Sequence, residues 1–166
     1  MAEKKEIQIL KTALLLEKQG RTFYQRVAAD TQSRAVRGLF DIMAEEEAKH
    51  IEFLSGQFAS YTTRGEFLEQ EPEGPARSAV EQILSSEVRR QIGAASYEAA
   101  AISAAIEMEN RAVAVYSSRA EESRDSREKR LYEWLAQWER THLRFLAEIN
   151  DALLEEIWYE SSFWPF

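Results

Sequence analysis

The chain carries an internal duplication. Ala44-Glu45-Glu46-Glu47-Ala48-Lys49-His50 recurs 92 residues later as Ala136-Gln137-Trp138-Glu139-Arg140-Thr141-His142. Laying residues 10–58 on 102–150 without a gap gives identities at Ala13/Ala105, Glu17/Glu109, Tyr24/Tyr116, Ala28/Ala120, Leu39/Leu131, Ala44/Ala136, Glu47/Glu139, His50/His142, Phe53/Phe145 and Leu54/Leu146. In both copies a Glu precedes a His by three positions, which on a helix puts carboxylate and imidazole on one face, one turn apart. Such a pair can grip one metal ion. A single Glu-x-x-His is common by chance, but this chain has just two histidines, and both fall at equivalent positions of a repeat that the other residues define independently.

Each half reads as two helices. From about Lys4 to Ala29, Ile7, Leu10, Leu14 and Val27 recur at spacings of three and four among good helix formers. Asp30-Thr31-Gln32-Ser33 offers capping chemistry, and a second helix is expected from about Ser33 to Ser60, with Leu39, Met43, Glu47, His50 and Leu54 on one face. The short link makes the two antiparallel. Residues 62–77 change character, with Gly65, Pro72, Gly74 and Pro75 among acidic residues, and read as a crossover. A short helix over 78–91 follows, then a third long helix from about Ser96 to Glu122. Asp125-Ser126-Arg127-Glu128 has the form of a capping box and opens a fourth helix reaching about Tyr159. No strands are expected. The reading is one all-α domain over 1–166, a four-helix bundle of two duplicated helix pairs joined by a long crossover, with an aromatic tail over 157–166.

Composition removes several classes of function. With a net charge of −8 the chain lacks the clustered Lys and Arg that nucleic acid or an anionic membrane requires. It has no cysteine, so thiolate zinc and iron–sulfur sites are out, and any metal must bind through oxygen and nitrogen. No apolar run reaches the roughly 18 residues of a membrane span, and the first residues lack an export signal, so a cytoplasmic protein is expected.

In helical bundles of the ferritin-like di-metal kind, two helices each supply a Glu and the other two each supply Glu-x-x-His, all projecting inward. Here Glu17, Glu47-x-x-His50, Glu109 and Glu139-x-x-His142 follow in that order. Four carboxylates balance two divalent cations, with one imidazole per ion and coordination positions left open. The spacing predicts two metals about 3.5–4 Å apart, Glu47 and Glu139 bridging, Glu17 and Glu109 terminal, and His50 and His142 one on each ion.

Other residues around this set carry two readings each. Gly20 and Ala112 stand one turn after Glu17 and Glu109, where small side chains leave room for dioxygen or peroxide, or serve close helix packing. Tyr24 and Tyr116, seven residues after those glutamates, are either phenols that hydrogen-bond to the ligands or take part in electron transfer, or core tyrosines with satisfied hydroxyls. Glu107 points about 200° away from Glu109 and reads as solvated, and Glu45 and Glu46 read likewise as a charged outer face. Trp158, Phe163, Trp164 and Phe166 make the C-terminal segment apolar enough to need a partner surface: a homodimer interface, the end of the bundle, or another protein.

At Leu16-Glu17-Lys18-Gln19-Gly20-Arg21-Thr22-Phe23-Tyr24, at Ala44 to His50 and at Ile106-Glu107-Met108-Glu109 the sequence resembles the rubrerythrin branch of the ferritin-like superfamily, especially its short members without a rubredoxin domain. The resemblance spans nearly the whole chain. It implies a di-iron protein that reduces hydrogen peroxide or reacts with dioxygen, often as a dimer with exchanged helices; manganese or zinc are possible substitutes for iron. Peroxidases of that family usually carry one more ligand Glu one turn after the position of Glu109, and here that place is Ala112. Their usual electron donor is an appended cysteine-ligated iron domain, so this chain would need an external one, such as a rubredoxin-like protein or a flavin reductase. Two other functions stay open: iron handling or storage without a ferritin cage, and an interaction module with a structural metal site.

Overall fold

The computed structural model describes residues 4–69 and 96–160. Among these the chain is four long helices: α1 over Lys5–Asp30, α2 over Arg34–Arg64, α3 over Tyr97–Glu122 and α4 over Ser126–Glu160. The short helix expected over 78–91, the second half of the expected crossover and the side chains of the aromatic tail lie outside the described residues. α1 packs along α2 and α3 along α4, and α1 also touches α3. With only Thr31 to Ser33 joining α1 to α2, the two must run antiparallel. The architecture is an all-α four-helix bundle of two helix pairs.

The helix ends follow local hydrogen-bonding chemistry. Ser33 accepts the N–H of Val36 at 3.2 Å and opens α2, and Ser96 accepts the N–H of Ala99 at 3.2 Å and opens α3. The buried Thr31 hydroxyl donates to Glu98 at 2.7 Å, tying the first link to the start of α3. α2 continues past Ser60, where the sequence places its end. Thr62, Thr63 and Arg64 propagate the helix until Gly65, at φ 73°, turns left-handed and its N–H bonds the carbonyl of Tyr61. At the start of α4 half of the expected capping box forms. Asp125 accepts the N–H of Arg127 at 2.8 Å, whereas Glu128 turns away to a buried ion pair with Arg119 at 2.5 Å.

Two apolar clusters fill the interior. One holds Tyr24, Ala28, Leu39, Phe40, Met43 and Ala44 of the first half with Ile102, Ala105 and Leu146 of the second. The other holds Tyr116, Ala120, Leu131, Tyr132, Leu135 and Ala136 of the second half with Leu10, Ala13 and Leu54 of the first. Every residue just named in one cluster has its duplicate, 92 positions away, in the other. The duplication is thus a pseudo-twofold arrangement. Along each helix the stretch between the two clusters contains one of the four glutamates Glu17, Glu47, Glu109 or Glu139, so the carboxylates form a polar layer between two dry ones.

Candidate metal centre

The four helices converge on that layer. Glu17 comes from α1, Glu47 and His50 from α2, Glu109 from α3, Glu139 and His142 from α4; none is more than 3% exposed. They fall into two groups. Glu17, Glu47, His50 and Glu139 each offer one donor atom within 4.8 Å of the others, and so do Glu47, Glu109, Glu139 and His142. Glu47 and Glu139 belong to both groups.

The individual oxygens divide the same way. His50 Nδ1 lies 3.0 Å from Glu17 Oε2, 3.1 Å from Glu139 Oε1 and 3.7 Å from Glu47 Oε2. His142 Nδ1 lies 3.3 Å from Glu109 Oε1, 3.1 Å from Glu139 Oε2 and 3.7 Å from Glu47 Oε1. Each shared carboxylate turns one oxygen toward either imidazole. Among the described residues, both oxygens of Glu139 and Nδ1 of His142 are buried with no hydrogen-bond partner. Such atoms carry a large desolvation cost that a cation would offset. Oxygen and imidazole donors in this number fit a pair of hard divalent ions.

Without an ion the cluster must hold protons. Burial, then the charges of Glu17 and Glu139, pushes the Glu47 carboxyl well above the carboxylate range; burial, then Glu139, pushes Glu109 up to about 8. Burial alone would lower both histidines, but Glu139 beside His50 and Glu109 beside His142 raise them well above the usual value. Burial works to raise Glu139 as well, yet the charges of the two histidines beside it bring it far down.

The phenols cross between halves. Tyr24 donates to Glu109 Oε1 and Tyr116 to Glu17 Oε1, so each tyrosine bonds the glutamate of the other repeat rather than the one seven residues before it. Gly20 and Ala112 face a cavity of about 40 Å³ that also touches Glu17, Glu47, Glu109, Glu139 and Tyr24, with exposed Gln19 and Arg111 at its rim. A Cβ on Gly20 would stand 3.5–3.7 Å from the carboxyl end of Glu47. The small residues therefore border open space next to a shared carboxylate.

Glu46 corrects the sequence expectation. Glu45 and Glu107 are exposed as expected, but Glu46 is 4% exposed, and its Oε2 accepts from His142 Nε2 at 2.5 Å and from Trp138 Nε1 at 3.4 Å. Burial would raise this carboxyl, and the hydrogen bond and charge of His142 bring it below the usual value instead. The signal was present in the repeat: Glu46 aligns with Trp138, a large aromatic, which marks the position as an inward one.

A four-helix bundle whose buried carboxylates and histidines form two candidate donor groups with two shared glutamates has the arrangement of helical metal-binding carboxylate proteins. The rubrerythrin family model matches residues 8–150, and the chain belongs to the rubrerythrin family. No curated protein and no solved structure matches it. Among the described residues no helix is long and apolar enough to cross a membrane.

Proposed function

We propose that the protein is a di-iron oxidoreductase that reduces hydrogen peroxide, or reacts with dioxygen, with electrons from an external donor. The observation that carries this reading is the pair of donor groups sharing Glu47 and Glu139 next to the cavity at Gly20 and Ala112. Glu17 and His50 would hold one ion, Glu109 and His142 the other, and the two shared carboxylates both. Iron held there supplies two electrons, one from each ion.

The chain's own residues position and protonate. Reduction of hydrogen peroxide to two waters consumes two electrons and two protons. The cavity is lined by carboxylates and by Tyr24, whose hydroxyl donates to Glu109, which supports a proton relay from phenol to carboxylate beside the space an oxidant would enter. Tyr116 offers the same relay through Glu17. The apolar clusters on either side exclude bulk water from the layer. Ala112 leaves a site of six ligands, and the missing carboxylate leaves room on the cavity side.

The test is anaerobic loading with ferrous iron followed by stopped-flow mixing with peroxide or air, read by the near-ultraviolet charge-transfer absorption of ferric iron. Fast oxidation is expected; by peroxide with little by air it marks the peroxidase, and by air the oxidase. Uptake of many irons per chain would replace this reading by storage, and no change with either oxidant would remove the redox function.

A further inference from the structure

The inner distances of the two donor groups are nearly the same, but the far nitrogens of the two imidazoles are not treated alike. His142 Nε2 bonds the buried Glu46 carboxylate. His50 Nε2 is buried with no hydrogen-bond partner, and the indoles packed against His50 are Trp138, with centroids 4.9 Å apart at 89°, and Trp134, at 5.5 Å and 76°. Glu46 and Trp138 are duplicates of each other in the repeat. The same position is a carboxylate in one half and an indole in the other.

We propose that this exchange makes the two metal positions unequal: the one built on His142 and Glu109 takes the first divalent ion and holds it more tightly than the one built on His50 and Glu17. The inference rests on the di-metal reading of the site. To present the Nδ1 lone pair to an ion, each imidazole must carry its proton on Nε2. For His142 that N–H has a charged acceptor, which fixes the tautomer and the ring and makes Nδ1 a stronger donor. For His50 the N–H stays unbonded in an aromatic pocket, so ordering this ligand returns less. Glu46 also adds a fifth negative charge on the His142 side alone.

Trp138 serves both sides of this asymmetry. Its Nε1 donates to Glu46, helping hold the carboxylate against His142, while its ring lies against His50. A second glutamate at 138 would meet Glu46 across the pseudo-twofold axis, and two buried like charges there would repel. One carboxylate and one indole satisfy the contact, and the cost is borne by the His50 position. Partners of ligating histidines change metal affinity by about 10- to 100-fold, which is the separation expected between the two binding steps.

The experiment is titration of the metal-free protein with cobalt(II), followed by calorimetry and by visible absorption. The native chain should take up two ions in two resolved steps. Glu46→Gln should weaken the first step about 10- to 100-fold and leave the second unchanged, so that the steps merge. Glu46→Asp, which keeps the charge on a shorter arm, should fall between, and it carries the test if Glu46→Gln does not fold. Two cobalt ions binding to the native chain with one affinity, or a variant that weakens both steps equally, would overturn the inequality while leaving the site intact. Failure of the native chain to bind cobalt at all would overturn the di-metal reading and the inference together.

Discussion

The helix pair α1–α2 and the helix pair α3–α4 agree at the ligands and part company one layer out. Glu17, Tyr24, Glu47 and His50 repeat as Glu109, Tyr116, Glu139 and His142, with matching distances and matching cross-half hydrogen bonds. Beyond them, Glu46 corresponds to Trp138, and the apolar contact region of Val27 and Val36 corresponds to the buried ion pair of Arg119 and Glu128. On the proposed di-iron reading that layer must satisfy two ions at once and tolerates little divergence, because Glu47 and Glu139 each belong to both donor groups. The packing around it belongs to one half at a time and has drifted.

The largest expected effect concerns the shared layer. Ions that bind the folded state alone add RT ln(1 + [L]/Kd), about 4 kcal/mol at a thousandfold excess over Kd, so the iron-loaded form should melt well above the chelated one. The gap should also depend on pH. A group whose folded pKa is raised stabilises the fold fully below its unfolded value and loses that contribution as pH climbs through the folded one. Glu47, Glu109 and both histidines are of this kind, with Glu109 up at about 8. Glu139, held low by the histidines, has the opposite sign, and its contribution is lost only in acid. The metal-free protein should therefore lose stability between about pH 5 and pH 8, and melts of chelated and loaded protein should draw apart over that range. A constant gap would mean that the raised groups do not titrate with folding.

The second effect tests the drift. Arg119→Val alone leaves Glu128 buried without its partner and should cost about 3 kcal/mol or more in denaturant unfolding. The double variant Arg119→Val with Glu128→Val copies the first half and should recover most or all of that loss. A double variant no more stable than the single one would show that this end of the second half has been built around the ion pair.

Smaller still is the effect of the phenols, where the halves should behave alike. Tyr24→Phe and Tyr116→Phe each remove one hydrogen bond to a terminal glutamate and should each cost about 1 kcal/mol in the metal-free protein. Unequal costs in thermal melts would place the asymmetry inside the ligand layer rather than outside it.

The symmetric features were the ones legible in the sequence. Helix positions followed from periodicity and from Ser33 and Ser96, and the six convergent residues followed from the repeat, because a duplicated pattern reports on itself. The features that break the repeat were not legible from local pattern, and for Glu46 the signal lay in its alignment with Trp138. Glu46 in a run of three glutamates looks solvated, since nothing local shows that it turns inward beside Glu47; its partner His142 lies 96 residues away. Glu128 likewise has the spacing of a capping residue, and only the packing of α3 against α4 shows that Arg119 claims it instead. The crossed bonds of Tyr24 and Tyr116 depend on how the helix pairs interlock, which residue spacing along one helix does not contain.

The central claim is that Glu47 and Glu139 each serve both halves, whereas Glu17 serves one. Elemental analysis of iron-loaded, desalted protein measures this directly. The native chain should carry two ions, Glu17→Ala should keep the ion on the Glu109 and His142 side, and Glu47→Ala or Glu139→Ala should lose both together. Retention of one full equivalent by Glu47→Ala and Glu139→Ala would contradict the shared site.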